Sequence, residues 1–349
     1  MSQEKSLFSY YNFTGREIEK YSNVSTILQS LTEEEIKKRV DQVKQLKLPK
    51  ESKRLVSKYE RVGRRSDFIW KWTYLLNSKL TLSSVPPKIK KEVLTTKLST
   101  IIINALVDDI ADEKKDKEMW MSSFKIFFDQ KKDIKSLKKF TKEKADYLEV
   151  IKDLKEFLYN SVNQYPNYNR FEEVFNYDYR QFFNATLYGY LTNKNLEITN
   201  LEEERNYSSA NMQIMVLLTI DLMASKSVKD VEIGATRELF WKIQRMGRIG
   251  NSLTTLEREI DEGDFSSEVF AYMLSEGVLS VNDLKPERKE FIINKIEKSN
   301  VKKSMLIEWN DIFESTKKYK EKISFFNVDE VLDGTKELLI NHLCSKGFK

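Results

Sequence analysis

One segment of the chain, residues 88–112, reads KIKKEVLTTKLSTIIINALVDDIAD. Its apolar residues recur at the spacing of one helix face. The positions predicted to face a core are Val93, Leu94, Leu98, Ile101, Ile102, Ala105 and Leu106. Because Pro86 and Pro87 cannot continue a preceding helix, the new helix should begin near Lys88. The segment therefore predicts a long amphipathic helix whose C-terminal end, from Asp108 onward, carries carboxylates.

The rest of the chain also favours helices. Only 10 Gly and 5 Pro occur in 349 residues, which argues against a turn-rich all-β fold. Thr32 and Glu35 form a capping box that should open a helix reaching Lys47, and a further helix should follow Glu51. Other helices are predicted at 67–77, 119–129, 134–160, 168–191, 198–225, 229–261, 265–276, 287–298, 301–323 and 328–345.

No repeat, linker or change of composition divides the chain. We therefore predict a single all-α domain over residues 1–349, in which residues 1–50 form an N-terminal segment to which the sequence assigns no role.

Composition restricts the class of function. The 59 basic and 54 acidic residues are mixed along the chain, a pattern typical of solvated helix faces and not of a nucleic-acid interface. No apolar run is long enough for a membrane span, and the first residues lack the features of a signal peptide. Cys344 and His342 are the only residues of their types, which argues against multi-cysteine and histidine-based sites; we expect both at a frayed C-terminal end. The expected protein is cytoplasmic, without a membrane span or a nucleic-acid partner.

Asp108, Asp109 and Asp112 form a D-D-x-x-D pattern at the end of the long apolar helix. On a helix Asp108 and Asp112 lie about 40° apart and Asp109 falls within the same ~100° arc, so the carboxylates can face one point. Such a cluster suits Mg²⁺, which takes one or two carboxylates and completes its shell with water and substrate phosphate. The alternative is a solvated helix end, because three acids at this spacing should occur by chance roughly once in such a sequence.

A second pattern joins Asn251, Thr255 and Glu259 at spacings of four residues. These side chains lie above one another with a drift of about 40° per step, so an amide, a hydroxyl and a carboxylate oxygen form one ridge that can hold Mg²⁺. Taken alone, this ridge could equally be the polar face of a helix. The two patterns together are much less frequent by chance.

The two patterns resemble the metal motifs of class I terpene synthases of the compact, single-domain microbial type. The aspartate-rich motif matches Asp108, Asp109 and Asp112, and the second motif, N-D-x-x-S/T-x-x-x-E, matches Asn251, Thr255 and Glu259. Ser252 stands where the family usually has aspartate, at a position that is not a ligand in the family pattern. The resemblance is strongest over residues 60–320. It implies a helical bundle of the class I isoprenoid synthase type with a deep central apolar cavity, and three Mg²⁺ ions, most of them bound together with the substrate diphosphate.

The resemblance also implies a set of residues that bind the diphosphate. Arg205, which lies 46 residues before Asn251, matches the family's diphosphate-sensing arginine, and Ser208 and Ser209 match the linker and effector positions at a helix break. Arg258 is a further candidate at the anion site. Without the family, Arg205 in the acidic run LEEER would be interpreted as part of a surface ion pair.

The family's C-terminal Arg-Tyr pair corresponds here to Lys318 and Tyr319, although lysine lacks the guanidinium fork of arginine. Trp309 matches the region that supplies an aromatic wall, and the resemblance implies that it steers a carbocation. Other aromatic residues that could line a cavity are Phe68, Trp70, Trp72, Phe182 and Phe183. The alternative for each of them is an ordinary place in the core.

The implied activity is Mg²⁺-dependent ionisation of a linear prenyl diphosphate, farnesyl or geranylgeranyl diphosphate, followed by cyclisation to a sesqui- or diterpene and release of diphosphate. A prenyl diphosphate synthase on the same fold is an alternative, but it would carry two aspartate-rich motifs. A non-enzymatic all-α binding scaffold is the second alternative. The protein is expected to be a monomer or a homodimer.

Overall fold

The computed structural model describes residues 11, 13–112, 114–129 and 140–348. Every regular element of these residues is a helix, so the predicted all-α fold class is confirmed. The α-helices are α1 (Gly15–Lys20), α2 (Ser22–Ser30), α3 (Glu33–Gln45), α4 (Lys50–Tyr59), α5 (Asp67–Leu80), α6 (Lys90–Ala111), α7 (Lys117–Phe128), α8 (Lys142–Val162), α9 (Tyr168–Lys194), α10 (Leu201–Tyr207), α11 (Ile214–Ala224), α12 (Ile233–Glu262), α13 (Glu268–Ser275), α14 (Lys289–Lys298), α15 (Val301–Thr316) and α16 (Val328–Cys344).

Most predicted helices agree with these bounds to within a few residues, but the one predicted at 198–225 is interrupted. Between α10 and α11 the chain forms a 3₁₀-helix, Ser208–Met212, and Gln213 adopts a left-handed conformation with φ 53°. The helix predicted at 301–323 changes to a 3₁₀-helix at Lys317. Part of the helix predicted at 134–160 lies outside the described residues.

The expectation of a frayed C-terminal end is wrong for the last helix. His342 and Cys344 are both buried on α16. The imidazole ring packs edge-to-face against the indole of Trp72, with 4.9 Å between ring centroids. This contact fixes the end of α16 against α5.

Helix α11 is the centre of the fold, because all eleven of its residues are buried. It packs against α6, α9 and α12, which accounts for an apolar surface that covers the whole helix. The circuit of neighbouring helices α5, α6, α11, α12 and α16 closes on itself around the core. On α6 the predicted core positions are buried, apart from the partly buried Ile101.

Helices α1–α3 pack on the C-terminal part of the chain. Helix α2 contacts α15, and α3 contacts α5 and α16. Arg39 of α3 forms an ion pair of 2.8 Å with Glu337, and Lys303 forms one of 3.1 Å with Glu17. The N-terminal segment thus covers the outer side of α15 and α16. Buried apolar residues from Tyr11 to Cys344 form one cluster.

Within the described ranges, no helix combines the length and apolarity that crossing a bilayer requires.

Candidate active site

One pocket is surrounded by the C-terminal halves of α6, α9 and α12, by α10 and by the break after α10. The residues that line it are Arg65, Asp108, Asp109, Asp112, Ala185, Thr186, Gly189, Glu204, Ser208, Asn211, Arg248, Asn251, Arg258, Glu259, Glu262, Asp264 and Ser266. Residues of both predicted metal motifs therefore face the same pocket, although the motifs lie more than 100 residues apart in the chain.

In the first motif, the carboxylates of Asp108 and Asp109 are held by Arg65. The guanidinium donates from Nη2 to Asp108 Oδ2 at 3.1 Å and from Nε to Asp109 Oδ1 at 3.0 Å. Asn211 Nδ2 donates to the other oxygen of Asp108 at 2.9 Å. Burial alone would raise the pKa of Asp108, but Arg65 and Asn211 outweigh it and hold that pKa below its usual range.

Asp112 has a different environment from its two neighbours in the motif. Burial raises its pKa well above the usual range, and the negative charges of Asp264 and Asp108 raise it further. Asn193 Nδ2 lies 3.5 Å from Asp112 Oδ1. This carboxylate therefore lies in a negative part of the pocket.

In the second motif, Asn251 and Glu259 line the pocket, whereas Thr255 supports them from behind. Thr255 Oγ1 donates to Glu259 Oε1 at 2.6 Å and also lies 2.9 Å from the backbone oxygen of Asn251. Glu259 is only 3% exposed, and its Oε2 has no hydrogen-bond partner among the described residues. Burial, followed by the charge of Asp264, raises the pKa of Glu259 to about 7.

Three arginines line the pocket. Arg248 Nη2 donates to Glu204 Oε1 at 2.9 Å, and Arg258 Nη1 donates to Glu262 Oε2 at 2.5 Å. The Nε atoms of Arg248 and Arg258 are buried and have no partner in the described part of the chain. These two N–H groups are therefore available to an anion.

Sequence reasoning identified Arg258 but missed Arg248 and Arg65. Arg248 lies three residues before Asn251 on α12, so its position on the same helix face was a usable signal. Arg65 lies in the turn between α4 and α5, and the sequence around it contains no such signal.

Arg205 does not line the pocket. It forms ion pairs with Glu268 at 3.2 Å and Glu308 at 3.0 Å, while the preceding residue, Glu204, lines the pocket. Adjacent residues of a helix point about 100° apart, so in this orientation of α10 only one of the two can face the pocket. Ser208 lines the pocket as expected, but Ser209 does not, and its Oγ lies 3.3 Å from the backbone oxygen of Arg205.

Three further residues predicted from the resemblance lie away from the pocket wall. Lys318 is exposed and Tyr319 is buried in the 3₁₀-helix that follows α15. Trp309 is 1% exposed and stacks on Phe313, with 5.2 Å between centroids and 8° between ring planes. The structure thus places Trp309 in the packed core between helices.

Among the described residues, the pocket at the two predicted metal motifs is not the deep apolar cavity expected from the sequence. The pocket encloses about 50 Å³, room for roughly three to five waters, and most of its lining side chains are polar. Large aromatic side chains fill the space next to it: Trp120 Nε1 donates to the pocket residue Thr186 at 3.0 Å. Trp120 belongs to an aromatic cluster on α7 and α9 that consists of Trp120, Phe124, Phe127, Phe128, Phe182 and Phe183. We call this the α7–α9 aromatic cluster.

The donor set fits Mg²⁺ that binds together with a phosphate group. Seven carboxylates but only three guanidinium groups line the pocket. Within the described residues, no three carboxylates are grouped closely enough to enclose an ion by themselves. Mg²⁺ does not need three, because water and phosphate oxygens complete its shell. The unpartnered, buried Oε2 of Glu259 is an oxygen of the kind that such an ion binds.

Comparisons with known proteins give a similarity that concerns the fold. No protein-family model and no curated protein matches the sequence. Among solved structures, isoprene synthase from the leaves of grey poplar (Populus x canescens) is similar, with a TM-score of 0.57 and 16% sequence identity. The alignment covers 87% of this chain and 53% of isoprene synthase, so the chain spans about half the length of that protein. The chain thus has an all-α fold of the terpene synthase type.

Proposed function

We propose that this protein is a class I terpene synthase that ionises a linear prenyl diphosphate with the help of Mg²⁺ and cyclises the resulting carbocation. The observation that carries the proposal is the meeting of the two metal motifs and three arginines in one pocket. A prenyl diphosphate offers the complementary chemistry, because its diphosphate binds both cations and guanidinium groups. Farnesyl or geranylgeranyl diphosphate is the proposed substrate.

The residues of the pocket would divide the work by their chemistry. Asp108 and Asp112 on one side, with Asn251 and Glu259 on the other, would hold Mg²⁺ against the diphosphate. When bound there, Mg²⁺ supplies positive charge that favours departure of diphosphate as the carbon–oxygen bond breaks.

The arginines would bind the same diphosphate directly. Arg248 and Arg258 each have an unused Nε–H, and Arg65 holds two carboxylates of the first motif. Arg205 could reach the diphosphate only if α10 turned about its axis, because its guanidinium now contacts Glu268 and Glu308. A role for Arg205 therefore remains part of the proposal and requires such a movement.

The hydrocarbon part of the substrate would bind towards the α7–α9 aromatic cluster. Thr186 joins this cluster to the pocket through the indole of Trp120. Aromatic faces stabilise a cation by about 2 kcal/mol or more when water is excluded. Because the pocket is small as it stands, substrate binding would have to move side chains of this cluster aside.

Neither alternative from the sequence explains the pocket equally well. A prenyl diphosphate synthase would be expected to carry a second aspartate-rich motif, whereas α12 presents Asn251, Thr255 and Glu259. A binding scaffold gives no reason for buried carboxylates without full compensation, because such groups cost stability and are typical of functional sites.

The test is incubation of the purified protein with Mg²⁺ and prenyl diphosphates of 5, 10, 15, 20 and 25 carbons, followed by gas chromatography with mass detection. The five-carbon substrate is included because the similar solved structure is that of isoprene synthase, and isoprene has five carbons. Hydrocarbon or terpene alcohol products that disappear with EDTA, and with Asp108→Ala, would support the proposal. Elongated diphosphates formed only when isopentenyl diphosphate is added would identify a prenyl diphosphate synthase. If no substrate is turned over, the non-enzymatic binding scaffold would be the remaining alternative.

A further inference from the structure

A carboxylate outside both metal motifs also lines the pocket. Asp264 follows the end of α12 by two residues, and it is 9% exposed. We propose that Asp264 is an additional metal ligand, which together with Asp112 and Glu259 holds a divalent cation between the first and the second motif. This inference rests on the proposed function for the phosphate that would share the cation.

The end of α12 directs Asp264 into the pocket. Gly263 adopts a left-handed conformation with φ 67°, which a residue with a side chain rarely adopts. The next backbone N–H, that of Asp264, donates to Glu259 O at 2.8 Å. The chain therefore folds back over the last turn of the helix, and Asp264 is brought close to Glu259.

The surroundings of Asp264 fix one of its carboxylate oxygens. Oδ1 accepts hydrogen bonds from Ser266 N at 3.0 Å, from Ser266 Oγ at 2.7 Å and from Asn193 Nδ2 at 2.8 Å. None of the hydrogen bonds found in the described part of the chain involves Oδ2. An oriented carboxylate with one oxygen held and the other available is suited to bind a metal through that second oxygen.

The neighbours of Asp264 are the carboxylates of the two motifs. Asn193 Nδ2 lies within hydrogen-bond reach of both Asp264 Oδ1 and Asp112 Oδ1, so one amide group lies between these two carboxylates. On the other side is Glu259, whose Oε2 is buried and unpartnered. The charge of Asp264 adds to burial in raising the pKa of both Asp112 and Glu259. The three carboxylates therefore lie next to one another on one side of the pocket.

The three carboxylates do not enclose an ion by themselves in this conformation, so water or diphosphate oxygens would complete the shell. We therefore expect tight binding of this cation only when a diphosphate is present.

The experiment is a Mn²⁺ titration followed by electron paramagnetic resonance, with and without inorganic pyrophosphate. Mn²⁺ prefers the same oxygen ligands as Mg²⁺ and is detected directly. The test variant is Asp264→Asn, which keeps the Oδ1 acceptor for Ser266 and Asn193 but removes the charge and replaces the proposed metal-binding oxygen, Oδ2, with an amide NH2 group. The matched control is Asp261→Asn, because Asp261 lies on the same helix end but is 60% exposed and pairs with Lys289 on the surface.

With pyrophosphate present, Asp264→Asn should lose one Mn²⁺ ion or bind it at least about tenfold more weakly, while Asp261→Asn should match the wild type. Equal Mn²⁺ titrations for wild type and Asp264→Asn would overturn the inference. If Asp264→Asn proves unstable, Asp264→Glu is the second test variant, and it should retain the ion because it keeps the charge. Loss of the ion in a folded Asp264→Glu protein would also count against the inference. Loss of the ion in Asp264→Asn, in a protein that turns over no prenyl diphosphate, would refute the proposed function and leave this inference standing.

Discussion

The positions of single arginine side chains decide which of them can bind an anion in the pocket. Arg248 is buried beside Glu204, and only one of its donor groups is used in that ion pair. Arg205 is adjacent to Glu204 in the chain, yet it is partly exposed and has two carboxylate partners outside the pocket. The structure therefore places Arg248 in the pocket, whereas the arginine predicted from the sequence, Arg205, lies outside it.

Replacement of these arginines by lysine should separate their roles. Arg248→Lys keeps the charge beside Glu204 but loses the planar fork, so the affinity for pyrophosphate with Mg²⁺ should fall about tenfold, roughly 1.4 kcal/mol. Arg205→Lys should change this affinity less than about twofold if α10 keeps its orientation. Isothermal titration calorimetry measures both. The reverse order of effects would mean that α10 turns on binding and that Arg205 is the diphosphate ligand.

The turn before α5 is shaped by one glycine. Gly63 lies against the ring of Tyr59, where an added Cβ would be 2.1 Å from the nearest ring atom. The same phenol accepts a hydrogen bond from Arg65 N at 3.0 Å. The turn thus follows the ring of Tyr59 closely and sets the position of the Arg65 side chain.

Gly63→Ala should therefore shift the turn and displace Arg65 from Asp108 and Asp109. We expect the free energy of unfolding to fall by about 1–3 kcal/mol, together with a several-fold weaker affinity for pyrophosphate with Mg²⁺. Gly234→Ala is the matched control, since no atom lies within 4 Å of its added Cβ and alanine favours the helix. Denaturant unfolding and calorimetry report the two effects. Unchanged stability and binding in Gly63→Ala would show that the turn adapts without moving Arg65.

At the scale of helices, the break between α10 and α11 connects elements that carry the site. Asn211 in this break donates to Asp108, and its backbone oxygen accepts from Asn104 Nδ2 at 2.6 Å. Both partners lie on α6, one turn apart. A movement of the break would therefore change the hydrogen bond to Asp108 in the first metal motif.

Helices α7 and α9 supply the aromatic surface next to the pocket, whereas α15 carries Trp309 into the packed core. Trp120→Phe removes the hydrogen bond to Thr186 and reshapes the wall beside the pocket, so it should change the proportions of products while leaving the metal residues in place. Trp309→Phe should leave the product proportions unchanged. Gas chromatography of the products measures the product proportions of both variants and shows which tryptophan affects them. A changed profile for Trp309→Phe alone would support the role first inferred from the sequence.

The sequence predicted the features that depend on local periodicity and spacing. The buried face of α6 and the N-cap at Thr32, whose side chain accepts from Glu35 N, are of this kind. Residues of both predicted metal motifs line one pocket, and their binding of metal stays a prediction. Lys97 is a residue whose contact local periodicity does not predict. It lies on a core-facing part of α6, and its buried ammonium is 2.7 Å from the carboxylate of Asp221, which is 124 residues away in the chain. Arg65 is a second example, since its position depends on how a turn meets the end of another helix. Contacts of this kind follow from packing, which one sequence does not reveal.

At the scale of the whole molecule, the fold brings distant segments together at one strongly charged pocket. Helices α6 and α12 both belong to the closed circuit that also includes α5, α11 and α16, so the two predicted metal motifs are held on a packed framework. Within the described residues, the pocket lining carries four more carboxylates than guanidinium groups. This excess should repel pyrophosphate alone, and Mg²⁺ alone lacks the phosphate oxygens that complete its shell.

Mg²⁺ and pyrophosphate should therefore stabilise the protein cooperatively. Each ligand alone should raise the melting temperature by less than about 1 °C, whereas both together, at about 100 times their joint Kd, should add roughly 2.7 kcal/mol, equivalent to a rise of several degrees. Differential scanning fluorimetry with Mg²⁺, pyrophosphate, both, and both with EDTA measures this effect. Asp108→Asn should lose most of the joint shift, because it removes a metal-binding charge on α6, whereas Asp333→Asn, a change at an exposed position on α16, should keep it. A full shift with pyrophosphate alone would mean that the arginines bind the anion without metal and that the carboxylates serve another purpose.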